Sequence, residues 1–272
     1  MTVHNRCATT LSCLEHLADL SFDQSRYSLA IFLTDDGCTD GTAEAIRQSY
    51  PAVRILPGDG NLFWNRGMFT AWTAAEKEGY DYYWWVNDDT FVFRDALSRL
   101  LAASERHLDK AVIVGSTCAS DDSGAITYGG WKDSRVIVDL ETEQACDTMN
   151  GNLVLIPASV LAAIGKNDPA YHHALGDLDY GLRAREAGLE IYVVSGICGT
   201  CDLHEKPVAW MDPEQSFRKR WDNFFSPAGN NPFEFFRFKR RHFGFFPACV
   251  SFLTNFIHLL FPSFWLKTKK HE

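Results

Sequence analysis

Two adjacent carboxylates, Asp88 and Asp89, come almost directly after the apolar run at 82–86. A strand that ends in such a pair suits a divalent cation and the diphosphate that the cation bridges, because Mg²⁺ and Mn²⁺ prefer oxygen ligands. Open α/β sheets also bind ligands just beyond the carboxyl ends of their strands. The alternative is a solvated Asp-Asp turn, since acidic residues are common in turns. The pair alone does not decide between the two interpretations.

Two further acidic clusters occur in corresponding places along the chain. Asp35 and Asp36 follow an apolar segment that we predict to be a strand over 28–33, and Asp177 and Asp179 begin a predicted helix. Clusters that follow successive strands of an α/β unit can converge on one edge of the sheet. Three such clusters favour a ligand site over solvated turns. For the third cluster, a charge pair that only stabilises a helix N-terminus stays an alternative.

The segments between these clusters alternate between short apolar runs and amphipathic stretches. This alternation is typical of an α/β fold with a largely parallel sheet. The main predicted strands are 28–33, 53–56, 82–86, 111–115, 153–156 and 189–194, with shorter strands at 127–130 and 135–138. The predicted helices are 42–48, 64–78, 95–104 and 177–187. In the second helix the apolar residues recur at i, i+3, i+4 and i+7, which indicates one buried face.

Composition bounds the class of protein. The 272 residues, 46% of them hydrophobic and 22% charged, describe a globular chain with a large core. A formal charge of −9 argues against general nucleic-acid binding, which needs a basic surface. Eight cysteines are scattered without a regular framework, and we expect reduced thiols in a cytoplasmic protein. Cys198 and Cys201 have CxxC spacing, but no second CxxC completes a zinc site.

The C-terminal region differs in kind from the rest of the chain. Of 20 phenylalanines, 14 lie at or after Phe217, and residues 243–266 contain no Asp, Glu, Lys or Arg. Pro247 and Pro262 leave room for about 21 Å of helix between them, whereas a hydrocarbon core is about 30 Å thick. Basic residues flank this region on both sides, which predicts an amphipathic, membrane-associating tail over 243–272. Packing on its own domain or on a dimer partner, and a true membrane span, are the alternatives.

An ordered set of motifs runs through the chain. In sequence order the motifs are Thr2–Arg6, Thr34–Thr42, Gly60–Asn65, Asn87–Asp89, Gly151–Asn152 and Gly176–Arg185. In this order the chain resembles family 2 glycosyltransferases over about residues 2–205, and especially the bacterial branch that builds surface polysaccharides, including rhamnosyltransferase-like enzymes. The resemblance implies a GT-A (Rossmann-like) catalytic domain over 1–205 with a truncated first strand. It would be followed by an acceptor-side or lid segment over 206–242 and by the tail.

The resemblance also implies the roles of individual residues. Asp177 matches the general base, and Asp89 matches the ligand of a Mn²⁺ or Mg²⁺ ion. His204 lies about where many relatives carry a metal-binding histidine, although a structural role is the alternative. The residues expected to bind the donor nucleotide or sugar are Asn5, Arg6, Asp35, Asp36, Asn61, Trp64, Asn65, Asn87 and Asp88. Trp64 is either a platform for a sugar ring or a core residue. Two positions depart from the family pattern, since Asn87 replaces an Asp and Gly176 replaces a Glu.

The activity implied is inverting transfer of a sugar from a nucleotide-diphosphate donor, UDP- or dTDP-linked, to a hydroxyl of a lipid-linked glycan acceptor. Such an enzyme would serve O-antigen or capsule-type synthesis as a peripheral cytoplasmic protein on the inner face of the plasma membrane. A non-catalytic nucleotide-sugar-binding relative or scaffold is the main alternative. A sugar-phosphate nucleotidyltransferase would also use carboxylates and Mg²⁺, but the chain lacks the Gly-rich N-terminal phosphate loop that is typical of that class.

Overall fold

The computed structural model describes residues 1–121, 123–203 and 209–262, which form two compact units. The first unit comprises residues 1–169 and 176–203, and the second comprises residues 170–175 and the described residues from 209 onward. Each unit has its own buried apolar residues. The predicted α/β class is confirmed by the first unit.

The strands of the first unit are short, except for two long central ones. They are β1 (Thr2–Val3), β2 (Phe32–Asp35), β3 (Arg54–Pro57), β4 (Tyr82–Val86), β5 (Phe91–Val92), β6 (Ala111–Cys118), β7 (Ile126–Tyr128), β8 (Gly130–Lys132), β9 (Arg135–Val136), β10 (Gln144–Ala145), β11 (Thr148–Met149), β12 (Leu153–Pro157) and β13 (Glu190–Thr200). Its helices are α1 (Cys7–Ala18), α2 (Thr42–Ser49), α3 (Phe63–Glu76), α4 (Ala96–Arg106), α5 (Ala158–Ile164) and α6 (Gly176–Glu186).

These strands form three sheets. Strands β1, β2 and β3 pair in parallel in that order. A larger mixed sheet has the order β10-β13-β6-β12-β4, with β5 added to β13 and β7 to β6. Within it β13 is parallel to β6, whereas β12 is antiparallel to both β6 and β4. Strands β11, β8 and β9 form a small antiparallel sheet.

Three predicted strands differ clearly from the observed ones. The predicted strand 127–130 is divided between β7 and β8, which are separated at Gly129. The segment 28–33 is apolar enough to predict a strand, but β2 begins only at Phe32. Residues 28–31 instead form an irregular segment that lines a cavity of about 220 Å³ together with residues 80–86. Strand β13 runs six residues past the predicted end at Val194, because its pairing with β6 continues after two register shifts. Helices α1 and α5 were not predicted.

An aromatic cluster packs helices against the strand that ends in the acidic pair. Trp85 of β4 lies 5.4 Å from Trp72 of α3 and 5.2 Å from Tyr180 of α6, between ring centroids. All three side chains are buried, and edge-on or tilted packing of this kind is favourable for aromatic rings. The cluster therefore fixes α3 and α6 relative to the end of β4.

The amino group of Met1 is buried and donates to the carbonyl oxygen of Phe32 at 2.9 Å. Burial lowers the pKa of this ammonium from 8.0 to about 6. The folded protein therefore resists protonation that the unfolded chain accepts, so we expect the free energy of unfolding to rise from pH 6 to pH 8 by about 2 kcal/mol. Urea unfolding at the two pH values measures this difference.

An N-terminally acetylated chain is the control for that prediction. It has no titrating amine at this position. The same pH dependence in the acetylated protein would contradict the prediction. The raised pKa of Asp88, about 6, affects stability mainly at lower pH. It makes the free energy of unfolding fall as the pH rises from 3.8, the ordinary pKa of the group, to about 6.

The second unit is helical. It contains a short 3₁₀ turn (Ala209–Met211) and the helices α7 (Phe217–Phe225), α8 (Pro232–Phe243) and α9 (Phe245–Leu260). Its core is formed by Trp210, Phe224 and Leu259. Asn231 caps α8 by accepting from the amide nitrogen of Phe233 at 3.1 Å. None of the helices in the described part of the chain combines the length and the apolar character that a membrane crossing requires.

Candidate active site

The acidic pair lies in the turn that follows β4, and a guanidinium bridges it. Nη2 of Arg6 lies 2.5 Å from Oδ1 of Asp88, and Nη1 lies 2.7 Å from Oδ2 of Asp89. Asp88 is almost fully buried, whereas 19% of the Asp89 side chain is exposed. Burial raises the pKa of Asp88 to about 6, against the opposing effect of Arg6. Burial also opposes the charge on Arg6, yet the two carboxylates hold its pKa above the ordinary value.

Asn87 connects this pair to a tryptophan. The indole nitrogen of Trp64 donates to Oδ1 of Asn87 at 2.6 Å, and the amide nitrogen of Asn87 donates to the carbonyl oxygen of Asn152 at 3.2 Å. The Trp64 ring packs edge-on against Trp85, with centroids 5.8 Å apart. Trp64 therefore packs on the core while its half-buried ring stays next to the acidic pair.

Asp177 lies in the first turn of α6 and meets the same group of residues. Its Oδ2 accepts from the amide nitrogen of Gly151 at 2.9 Å, and its Oδ1 accepts from that of Leu178 at 2.8 Å. A Cβ atom on Gly151 would lie 2.4 Å from the Trp64 ring and 3.2 Å from Cβ of Asp177. Desolvation raises the pKa of Asp177, although part of its side chain stays accessible. The structure thus brings the predicted base to the edge that carries the acidic pair.

The other predicted acidic residues hold the backbone of nearby loops. The buried carboxylate of Asp36 accepts from the amide nitrogens of Gly60 at 2.9 Å, Leu62 at 3.0 Å and Phe63 at 2.9 Å. It thereby fixes the loop that leads into α3. Asp35 is half-buried, and its Oδ1 accepts from the amide nitrogen of Cys38 at 2.9 Å.

The predicted asparagines also differ in their surroundings. Asn65 is fully buried; its Nδ2 donates to the carbonyl oxygen of Asp168 at 2.8 Å, and its Oδ1 accepts from Asn167 at 2.7 Å. A Cβ atom on Gly176 would lie 1.9 Å from Oδ1 of Asn65, which explains why glycine replaces the expected Glu at 176. Asn61 is exposed in the loop before α3. Oδ1 of Asn5 accepts from the amide nitrogen of Thr39 at 2.7 Å, so it holds the loop after β2.

Three residues of the site were not assigned a role from the sequence. Thr10 reaches Oδ2 of Asp88 with its hydroxyl at 3.3 Å, and Sγ of Cys201 lies 3.7 Å from Oδ1 of Asp89. Gly151 supplies the amide that binds Asp177. Burial raises the pKa of Cys201 to about 12, so its thiol is protonated in this structure. Thr10 lies one helical turn after Arg6, and this spacing was the sequence signal that could have indicated its place in the site.

The donor set of the pair fits a hard divalent cation. Mg²⁺ and Mn²⁺ are commonly held by one or two carboxylates together with substrate phosphates and water. Asp88 and Asp89 supply carboxylates that already hold the positive charge of Arg6 between them. Across residues 1–121, 123–203 and 209–262, no three His, Cys, Asp or Glu side chains cluster as a metal site. The predicted ligand His204 lies outside the described residues.

Comparison with known proteins decides the family. The family model described as "Glycosyl transferase family 2" matches residues 1–156, more than half of the chain. The chain belongs to glycosyl transferase family 2. Two curated relatives of this family 2 chain, from two strains of Mycobacterium tuberculosis, are N-acetylglucosaminyl-diphospho-decaprenol L-rhamnosyltransferases. Each is 28% identical over 214 residues, which cover 66% of this chain and 68% of the relative.

Solved structures confirm the predicted GT-A fold of this family 2 member. GalNAc-T7, crystallised with UDP, GalNAc and Mn²⁺, matches with a TM-score of 0.55 at 13% identity over 73% of this chain. TarS of S. aureus matches with a TM-score of 0.56 at 15% identity over 90% of it. The match spans 43% of the length of each of these two structures. At these identities the likeness establishes the fold.

Replacing Gly151 by Ala should disturb the site through Trp64. The added methyl group would overlap the indole ring, and the backbone of Gly151 is held by Asp177, so the ring must move. Overpacking of this kind typically costs about 1–3 kcal/mol. We expect a lower free energy of unfolding, measured in urea, and quenched or shifted tryptophan fluorescence.

A double-mutant cycle with Trp64→Phe tests that cause, because the smaller ring leaves space for the methyl group. The two substitutions together should destabilise the protein less than the sum of their separate effects. Strict additivity would contradict the predicted overlap.

Proposed function

We propose that this family 2 chain is an inverting glycosyltransferase. It moves a hexosyl or rhamnosyl residue from a UDP- or dTDP-sugar to a hydroxyl of a lipid-linked glycan acceptor, in the synthesis of a surface polysaccharide of the O-antigen or capsule type. The curated relatives, whose name gives a diphospho-decaprenol-linked N-acetylglucosamine, support this acceptor class.

The observation that carries the proposal is the placement of Asp177. Its carboxylate accepts from the amide nitrogen of Gly151, whose backbone lies close to the ring of Trp64, and that ring donates to Asn87, the residue before the acidic pair. An inverting transfer needs one carboxylate for the acceptor proton and a separate positive site for the leaving diphosphate. Asp177 would take the first role, and a cation held by Asp88 and Asp89 would take the second.

Asp177 would accept the proton of the acceptor hydroxyl as the new bond to the anomeric carbon forms. A hydroxyl is a weak nucleophile, so a carboxylate within about 3 Å is needed to take that proton in the transition state. The amide hydrogens of Gly151 and Leu178 bind both oxygens and fix the direction of the carboxyl group. Its raised pKa makes the carboxylate a stronger base than an ordinary aspartate.

Asp88 and Asp89 would hold Mn²⁺ or Mg²⁺, which when bound offsets the charge that develops on the leaving diphosphate. Asp88 is the buried member of the pair, and Asp89 is the more exposed one. Asp36 would act on the donor by fixing the loop that carries Asn61 and leads to Trp64.

A donor screen tests the proposal. The purified full chain is incubated with UDP-, dTDP- and GDP-sugars and Mn²⁺ or Mg²⁺, and release of the nucleotide is followed with and without a polyprenyl-diphosphate-linked sugar. Metal-dependent release of one nucleotide, with NMR showing an inverted anomeric centre in the product, is the expected result. Donor binding by calorimetry without any turnover would favour the non-catalytic alternative.

The second unit supports a role at a membrane, which we include in the proposal. One face of α9 exposes apolar side chains at alternating intervals of four and three residues. These are Phe246, Val250, Leu253, Ile257 and Leu260.

The preceding helix, α8, carries four basic residues and the single acid Glu234, which binds Nδ1 of His172 at 2.6 Å. Three of the basic residues, Arg237, Arg240 and Arg241, line a groove of about 790 Å³ together with Phe233 and Phe236.

An apolar helix face beside a basic one fits the interface of an anionic bilayer. We therefore propose a peripheral location on the inner face of the plasma membrane, where a lipid-linked acceptor resides.

We expect the full chain to sediment with phosphatidylglycerol vesicles and to be released by salt. Leu253→Asp should weaken this binding at least tenfold, because burial of a leucine side chain is worth about 1.5–3 kcal/mol. Arg240→Glu should weaken binding to anionic vesicles and leave the weaker binding to neutral vesicles unchanged.

Leu108→Asp is the matched control, since Leu108 is an exposed leucine of the first unit. Equal losses for Leu253→Asp and Leu108→Asp would contradict the assigned surface.

A further inference from the structure

The guanidinium of Arg6 occupies the place between two carboxylates that the proposed function gives to a divalent cation. Its two terminal nitrogens each bind one carboxylate, at 2.5 Å to Asp88 and 2.7 Å to Asp89. Charge-assisted contacts of this length are among the stronger hydrogen bonds in proteins. A cation that binds Oδ1 of Asp88 and Oδ2 of Asp89 therefore competes with the guanidinium for the same two oxygens.

The backbone of Arg6 is anchored, although its side chain is half open to solvent. Arg6 directly precedes α1, and its carbonyl oxygen accepts from both the amide nitrogen and the hydroxyl of Thr10, each at 2.9 Å. Thr10 is fully buried. The Arg6 side chain, by contrast, is 42% exposed. The guanidinium can therefore leave the carboxylates by side-chain rotation while its backbone stays in place.

We propose that Arg6 is a resident counter-ion of the acidic pair, which a divalent cation must displace and which then pairs with the diphosphate of the donor. This inference rests on the proposed function, since it takes the pair as the cation site. Two positive groups on the same carboxylate oxygens would repel each other strongly at such short distance. A displaced guanidinium stays tethered nearby, and its planar set of donors matches phosphate oxygens.

The exchange of partners links the cation to the donor. A cation alone must remove Arg6 from both carboxylates and leave it without an anionic partner. A cation with a nucleoside diphosphate provides that partner, so each should strengthen the binding of the other. Arg6 is thus a positioning residue that makes the pair accept cation and donor together.

The test measures Mn²⁺ binding to the full chain by calorimetry, and by the EPR signal of free Mn²⁺, in the presence and absence of UDP. Arg6→Ala should bind Mn²⁺ alone at least tenfold more tightly than the unsubstituted protein. UDP should strengthen Mn²⁺ binding at least fivefold less in Arg6→Ala than in the unsubstituted protein. Arg6→Lys should fall between the two, since its single ammonium cannot match two carboxylates in the same way.

Arg94→Ala is the matched control, because Arg94 is an exposed arginine that lies 3.8 Å from Asp19, away from the acidic pair. It should leave Mn²⁺ binding unchanged. Circular dichroism establishes that each variant is folded, and Arg6→Lys carries the test if Arg6→Ala is not.

Unchanged or weaker Mn²⁺ binding in the folded Arg6 variants overturns the role of Arg6, and the proposed transferase activity stands if the donor screen is positive. Absence of Mn²⁺ binding in the unsubstituted protein and in Arg6→Ala, with and without UDP, overturns both the role of Arg6 and the cation site.

Discussion

Asp177→Asn should lower the rate of sugar transfer by about 10²- to 10⁴-fold, the usual contribution of a general base. The amide is nearly the same size as the carboxyl group, and its one oxygen can keep the bond from the amide nitrogen of Gly151 while the bond from Leu178 is lost, so circular dichroism is used to establish that the variant is folded. It cannot accept the proton of the acceptor hydroxyl. We therefore expect kcat to fall while the Kd for the nucleotide sugar, measured by calorimetry, changes less than threefold.

The pH dependence of the same reaction gives a second measurement of this role. Burial raises the pKa of Asp177, so the carboxylate form is reached only above the usual range for an aspartate. The rate should therefore rise with pH and level off once Asp177 has lost its proton. The residual activity of Asp177→Asn should lack that limb.

Asp147→Asn is the matched control for Asp177→Asn. Asp147 forms an ion pair with Arg185 of α6 at 2.9 Å, so its loss changes the charge around the same helix without touching the proposed base. Its rate should stay within twofold of the unsubstituted protein. A similar rate in Asp177→Asn would remove Asp177 from the role of base.

The strand that carries the acidic pair could be predicted from the sequence to the residue. Residues 82–86 are continuously apolar, and the strand they form, β4, is packed by aromatic residues from α3 and α6. Arg183 and Asp179 form an ion pair at 2.8 Å on α6, and their i, i+4 spacing is a direct signal of such a pair. Both features depend on neighbours along the chain, for which periodicity and spacing are direct signals.

Features that depend on distant parts of the chain were not predictable in this way. Arg6 meets the acidic pair across more than 80 residues of sequence, and the motif that contains it indicates a donor site without naming a partner. Similarly, Asp36 was predicted to bind the donor, and in the structure its carboxylate accepts from three backbone amides. An aspartate is suited both to binding the donor and to holding a loop by its backbone amides. Only the position of the loop 58–63 distinguishes these two roles.

The predicted departures from the family pattern also acquire physical reasons. Asn87 lacks the charge of an aspartate, but its amide oxygen accepts from Trp64, a contact that holds the indole beside the acidic pair. Gly176 has no side chain because the amide of Asn65 occupies that space. Neither replacement alters the residues to which we assign the proton and the cation. The departures are therefore compatible with an active enzyme.

Asp89→Asn should abolish cation-dependent transfer, with a loss on the order of 10²-fold or more, because the cation supplies several kcal/mol of transition-state stabilisation. Asp89 is the more exposed member of the pair, so its replacement costs less folding stability than that of the buried Asp88. Transfer should not recover when Mn²⁺ is raised tenfold. Asp202→Asn, which removes a carboxylate bound to Ser120 just beyond β13, is the control and should retain full activity.

The comparison of Asp89→Asn with Asp177→Asn separates the two carboxylate roles. Loss of the cation ligand should weaken binding of Mn²⁺ with UDP, whereas loss of the base should leave that binding intact and slow only the chemical step. In the absence of acceptor, water takes the place of the acceptor hydroxyl, and its attack on the donor also needs both the cation and the base. Release of the nucleotide should therefore slow in both variants, with Mn²⁺ binding weakened only in Asp89→Asn. If Asp89→Asn retained its rate at the original Mn²⁺ concentration, the acidic pair would have no part in holding the cation. The edge of the sheet would then serve the donor through Arg6 and backbone amides alone.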